Sequence, residues 1–391
     1  MGRNVALYPW FKFFQNLLFW QAVWFLYVQA ELSAAEAIAL YAVFDIATTT
    51  LEVPSGYMSD KLGRRVTLIL AAIAGVLGAL AMATGDSFAV FALGQVFWGA
   101  SIAFASGTDS ALLYESLDAD GRADEIEPYE IRGWRFTYAG LALSAPIGGL
   151  MAYISPTFPF WSSMLAFSGM LWIAWRFTEP ARQARQRTDR ADLIAALRHP
   201  TLMWLFGLGI MAYSFSHIPY VFGQPFIIEA LRGQGWEGQA TWISGCVTAI
   251  MMVMSMIASA FAPKLRERVG FGVMVLLATL MQVGLVAVLA LTNAAWAIAL
   301  LFLRMVPDAF SVPFIQARIQ PLISSETRAT YLSLRSFCAR IVFAASLFLA
   351  AGSTSDAGLM PYDDIQSILG WYVLAGLAGW LCLAATLRKV G

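Results

Sequence analysis

Six ionisable residues lie inside apolar stretches of this chain, where each costs about 2.5–3.5 kcal/mol on insertion scales and therefore needs a partner or a task. They are Asp45 and Glu52, Asp109 and Glu115, and Arg304 and Asp308. Asp45 and Glu52 are seven residues apart, which is two helical turns, so they share a face. Asp45 falls near the middle of its stretch and is placed to carry a proton. Glu52, one turn before Gly56, suits a conformational latch or a proton carrier. Arg304 and Asp308 are four apart, the spacing of an intrahelical ion pair. Such a pair is either structural or a binding site in which Asp308 holds Arg304 until a substrate anion replaces it. Pro307 and Pro313 point to a broken helix there, and breaks are where cavities form.

Secondary candidates surround these six. Arg340 and Lys12 also sit among apolar residues. His217 occurs in Tyr213-Ser214-Phe215-Ser216-His217-Ile218-Pro219-Tyr220, near Gln224, and reads as a hydrogen-bonded packing residue or a proton relay. Of fourteen tryptophans, Trp10, Trp161, Trp175, Trp236, Trp296 and Trp371 fall near span ends and suit an interfacial belt. Trp20, Trp24, Trp98, Trp172 and Trp380 lie deeper, as packing residues or as the lining of a cavity for an aromatic or amphipathic ligand.

The elements that position these residues are set by composition. The 391 residues are 59% hydrophobic and 13% charged, about half the charge of a soluble domain, so lipid is the solvent. Apolar segments of about 20 residues begin near Pro9, Ala35, Val66, Phe88, Phe136, Trp161, Thr201, Thr241, Gly272, Ala294, Ala329 and Ser367, which predicts an all-α integral membrane protein of about twelve helices. With a cytoplasmic N-terminus the even loops collect Lys61, Arg64, Arg65, Arg122, the arginines between 182 and 198, Lys264, Arg266, Arg268 and Arg328, while the odd loops receive Arg232. Both termini are thus expected on the cytoplasmic side. The charged stretch near 181–200 is expected to be a cytoplasmic central loop between six-helix bundles at 1–180 and 201–391. Met1 to Tyr8 is too short for a signal sequence, so the run after it is expected to remain as the first span.

Several function classes are excluded. A formal net charge of zero with dispersed Lys and Arg recruits no nucleic acid. Cys246, Cys338 and Cys382 have no metal-ligand spacing, and neither a phosphate-binding G-x-x-x-x-G-K-[ST] loop nor a G-x-S-x-G elbow occurs, so neither ATP-driven transport by this chain alone nor an enzyme is expected.

Between the second and third apolar segments the chain reads Gly56-Tyr57-Met58-Ser59-Asp60-Lys61-Leu62-Gly63-Arg64-Arg65. Its two glycines allow close approach and a tight turn, and Asp60 offers the arginines a partner. This run resembles the G-x-x-x-D-x-x-G-R-R loop of major facilitator superfamily transporters, and with Leu51-Glu52-Val53-Pro54-Ser55 before it, it looks like that of tetracycline-type drug/proton antiporters. Glu267-Arg268-Val269-Gly270 is a weak echo in the second half. The resemblance implies two six-helix bundles of inverted three-helix repeats. It also implies a latch of Gly56, Asp60, Gly63, Arg64 and Arg65 with an acid of the fourth helix, Asp109 or Glu115. Two departures stand beside it: Ala145-Pro146-Ile147-Gly148-Gly149 is one glycine short of the antiporter motif, and Gln95-Val96-Phe97-Trp98-Gly99 lacks the usual arginine.

Taken together, the expectation is a monomeric proton-coupled secondary transporter of a small organic molecule in the cytoplasmic membrane, exporting an amphipathic compound. The alternative is uptake of an organic anion such as a carboxylate or siderophore, suggested by Arg304 and Arg340. A receptor or scaffold on a transporter fold is the reading from another class. Asp45, Glu52 and Asp109 are the proton-coupling candidates. Arg304, Asp308, Arg340, His217, Gln224 and Trp24 are the substrate-binding candidates. The proton gradient is the expected energy source, with no cofactor and no metal.

Overall fold

The computed structural model describes residues 2–180, 190–319, 322–323, 325–355 and 359–387, without the side chains of Val53, Asp60, Glu127, Ile131, 190–193, Glu237, Gln316, Ala317 and 325–330. Its described residues form fifteen α-helices. In the first half these are α1 (Gly2–Gln15), α2 (Trp24–Gln29), α3 (Ala34–Leu62), α4 (Arg64–Thr84), α5 (Phe88–Ala105), α6 (Thr108–Ala119), α7 (Ile126–Ile154) and α8 (Phe158–Arg176). The second half holds α9 (Arg190–Arg198), α10 (Pro200–Leu231), α11 (Ala240–Val269), α12 (Phe271–Leu291), α13 (Val306–Ile319), α14 (Ser325–Ala351) and α15 (Tyr362–Thr386).

Among the described residues, ten helical stretches are long and apolar enough to cross a membrane. The other two of the twelve expected spans are α8 and the discontinuous α1–α2. Local chemistry sets the starts and breaks. Ser33 and Glu36 form a capping box that opens α3. The first span breaks after Gln15 and resumes through a 3₁₀ turn at Phe19–Ala22. At the break the Phe19 N–H donates to Ser163 at 3.1 Å, and the Gln21 side chain ties the turn to α7 by donating to the Leu141 carbonyl at 3.0 Å. The fourth span breaks at Gly107, whose φ of 70° lies in the left-handed region and starts α6 on a new axis.

The tenth span is broken as Pro307 suggests, but the break precedes the proline. Ala295–Leu303 is 3₁₀ and Arg304–Met305 is a turn. Pro307 lacks an N–H and its ring opposes the carbonyl four residues back, so an α-helix begins in this region only at Val306. In the expected central loop, 190–198 is helical instead, and Arg182, Arg185 and Arg187 lie outside the described residues.

The chain divides into two compact units, 1–184 with 241–249, and 185–240 with 250–391. The start of α11 belongs with the first unit: a Cβ at Gly245 would lie 2.5 Å from the Ala145 carbonyl oxygen, so this part of α11 and α7 touch backbone to backbone. In the first unit α4 packs on α5 and α8, and α1 on α7; in the second, α12 packs on α15 and α10 on α14.

Candidate functional site

In the first unit the charged candidates separate into two groups. Arg64 reaches Glu115 through Nη2 at 2.9 Å and Nε at 3.1 Å, and its Nη1 donates to Ser59 at 2.8 Å. Asp109 goes elsewhere. It accepts from Lys12 at 2.7 Å, with the Lys12 ammonium 5.8 Å from the centre of the Trp134 ring. The Gly107 break produces this separation by placing Asp109 in the first turn of α6 while Glu115 lies almost two turns on. Of the two acids open to the latch, Glu115 is the one that meets Arg64.

The Arg64 charge network has a neighbour that sequence reasoning missed. The Glu179 carboxylate accepts from the backbone N–H groups of Arg64 and Arg65, at 2.6 and 2.8 Å, where the first turn of α4 leaves donors unpaired. Gly63 makes this possible, since its φ is 105° and a Cβ would lie 2.5 Å from Glu179 Oε1. Arg65 lies over the Trp175 ring and donates to the Trp175 carbonyl at 2.8 Å. Gly56 plays no such part. It sits inside α3 with nothing within 4 Å of a Cβ, so the close approach expected there is corrected. The Asp60 side chain lies outside the described residues.

Asp45 is fully buried on α3 and Glu52 is half-buried. Trp24 is 1% exposed and packs on Phe25 and Tyr41, while Trp98 is 2% exposed and stacks on Trp20 with ring centres 4.0 Å apart. These rings are core rather than an open aromatic wall, which removes Trp24 from the lining. Trp172 is exposed, beneath the Arg176 guanidinium.

In the second unit the candidates converge on α10. Arg340 donates to the Tyr213 hydroxyl at 3.1 Å. His217 stacks on Tyr213 with ring centres 4.0 Å apart, and its Nδ1 lies 2.8 Å from the Tyr213 carbonyl, which can only accept, so Nδ1 carries the proton. Arg304 lies 5.1 Å from the centre of the Tyr220 ring and 3.2 Å, through Nε, from the Met251 sulfur. Asp308 accepts from Ser216 at 2.5 Å and Gln282 at 3.0 Å.

The expected hydrogen-bonded Arg304–Asp308 pair is therefore corrected: Asp308 takes its hydrogen bonds from α10 and α12, while the Arg304 charge still acts on it. The four-residue spacing brings side chains together only on a continuous α-helix, and the turn at 304–305 interrupts it. Gln224 is buried one turn beyond Tyr220. Among the described residues no group of three His, Cys, Asp or Glu gathers to hold a metal.

Comparisons with known proteins agree with this architecture. The nucleoside transporter NupG superposes with a TM-score of 0.78 at 14% identity, covering 99% of this chain and 100% of NupG. A peptide transporter, POT, in complex with sulfate gives 0.77 at 11% identity, covering 100% and 95%. A D-xylose-proton symporter gives 0.69 at 15% identity, covering 97% and 96%. At these identities the likeness is one of fold. The family model described as Major Facilitator Superfamily matches residues 10–347, the stretch that contains the latch and the α10 cluster, and this multi-pass membrane protein belongs to that superfamily of transporters.

Proposed function

We propose that this chain is a proton-coupled secondary transporter of a small organic anion, working by alternating access as a monomer in the cytoplasmic membrane with both termini inside. The observation that carries this reading is the α10 cluster, where Arg304 and Arg340 each stand against a tyrosine on either side of His217. Guanidinium donors in a site of reduced dielectric favour a carboxylate strongly, and tyrosine faces favour a planar one. Asp308 takes its hydrogen bonds from Ser216 and Gln282, beside the charge of Arg304.

The proton gradient supplies the energy, and Asp45 is the leading carrier because it is fully buried in a span. Asp109 ranks below it, since a proton there has to displace Lys12. The xylose carrier, whose name records proton symport, offers a precedent for coupling on this fold. Export of an amphipathic compound is the weaker reading. It rests on the resemblance around 51–65, and Trp24 and Trp98, which an aromatic export cavity would use, are consumed in packing.

The test is uptake into proteoliposomes under an imposed pH gradient, with a panel of radiolabelled carboxylates and their neutral amides. The expected result is gradient-driven accumulation of a carboxylate that Arg304→Gln lowers at least tenfold while the amide is unaffected, and that Asp45→Asn uncouples from the gradient. Equal loss of carboxylate and amide in Arg304→Gln, or accumulation indifferent to the gradient, refutes the proposal.

A further inference from the structure

Gly209, Tyr213, His217, Tyr220 and Gln224 recur along α10 at spacings of three or four, which keeps them on one face. Three arginines meet that face. Arg340 is at Tyr213 and Arg304 at Tyr220. Arg335 is at Gly209, where a Cβ would lie 2.9 Å from Arg335 Cδ and 3.3 Å from Nε. From Gly209 to Tyr220 the helix rises about 16 Å, so the arginines form a ladder of roughly one-turn and two-turn steps.

The Arg335 Nη1 is buried and has no hydrogen-bond partner among the described residues. Tyr331, one turn earlier on α14, donates its hydroxyl to the Leu202 carbonyl, and its oxygen is not a hydrogen-bond partner of Arg335 Nη1. On the Pro200 side, Leu202, Leu205, Leu208 and Tyr331 belong to one buried apolar cluster. Arg335 could be explained as a long side chain reaching out of the span to water. Its stem instead lies across α10 in the space that Gly209 leaves, with one donor turned into the protein. A guanidinium has five donors and no acceptor, so the group that completes it must be an anion or a neutral acceptor.

We propose that Arg335 is an anion-binding residue, the station at the Pro200 end of the α10 face that takes the substrate's carboxylate and shares one path with Arg340 and Arg304. Gly209 is its positioning residue. This rests on the anion reading above and extends it from a cluster to a path.

Thermal melting of the purified full-length protein across a succinate titration at constant ionic strength tests it, using Arg335→Met, Arg335→Lys and Gly209→Leu. A ligand of the native state raises the melting temperature. The expected result has three parts: Arg335→Met melts at or above the wild-type temperature, it needs at least tenfold more succinate for the same shift, and Arg335→Lys recovers part of that loss. Gly209→Leu, which fills the space of the stem, is expected to weaken the succinate response as Arg335→Met does. If Arg335→Met melts lower and responds to succinate like the wild type, the residue is structural and the proposal falls while the anion reading stands. If the wild type shows no shift with succinate or any other carboxylate of the panel, the anion reading falls and takes this proposal with it.

Discussion

Exchanging Glu115 and Asp109 in turn against Arg64 tests the assignment of the latch. Among the described residues the Arg64 guanidinium makes three hydrogen bonds to Glu115 and one to Ser59, and the two charged side chains are 19% and 11% exposed. Breaking a buried pair costs about 3–5 kcal/mol and a surface pair about 0.2–1 kcal/mol. This pair lies between those limits and is discounted for its access to solvent, so Glu115→Gln is expected to cost about 2 kcal/mol. For a unit of this size that lowers the melting temperature by about 4–8 °C. The decisive quantity is the coupling in a double-mutant cycle. Arg64→Gln with Glu115→Gln is expected to couple by about 1–2 kcal/mol, whereas Arg64→Gln with Asp109→Asn is expected to be additive within about 0.5 kcal/mol. Stability is read from unfolding of the purified protein in mixed micelles. Coupling to Asp109 equal to that of Glu115, or no coupling to Glu115, refutes the assignment.

Two further outcomes follow from the same region of the fold. Gly63→Ala forces an L-residue to a φ of 105° and drives its Cβ against Glu179, so a loss of about 1–3 kcal/mol is expected, whereas Gly56→Ala, inside a helix and against open space, is expected to stabilise by about 0.5–1 kcal/mol; melting curves of the two variants should move in opposite directions. In the link before α7, hydrogen bonds from Arg122 hold the Glu125 carboxyl below its usual range. A depressed folded pKa contributes stability above the unfolded carboxylate range and loses it as pH falls through the folded value. The melting difference between wild type and Glu125→Gln is therefore expected to be present at neutral pH, to vanish in acid, and to shrink with salt because the pair is exposed; a difference that grows in acid contradicts the assignment.

The layout of spans was legible because hydropathy and length are local properties. The broken tenth span was legible in kind through Pro307, although not in place, since the 3₁₀ stretch before it carries no mark of its own. What escaped was the pairing of residues distant in sequence. Nothing near Asp109 says that Lys12 will meet it, and nothing in the loop says that Glu179 will cap α4, because both contacts depend on how helices pack. An acid following the sixth span was visible, but a donor-rich helix start needing one was not, until Gly63 was seen to expose it. The four-residue rule failed at Arg304 and Asp308 for the converse reason: it assumes a helix that the chain does not form there. Arg335 drew no attention because it lies near a span end, where arginines are ordinary, and its surroundings became visible only against Gly209.

Asn4 ties the start of the chain to its middle. Its fully buried amide accepts from the Thr178 N–H at 2.8 Å, donates to the Thr178 carbonyl at 2.7 Å, and donates to Ser116 at 2.8 Å. During synthesis at about 5–20 residues per second, the first helix therefore waits roughly nine to thirty-five seconds for the residues that complete it. Through that interval α1 is a tenant of the membrane or of the insertion machinery, with a polar amide unmet. A ribosome stalled between the fourth and sixth spans would leave a nascent chain whose N-terminus is still open to cross-linking or protease, and closure of that end marks the moment at which the first bundle is finished.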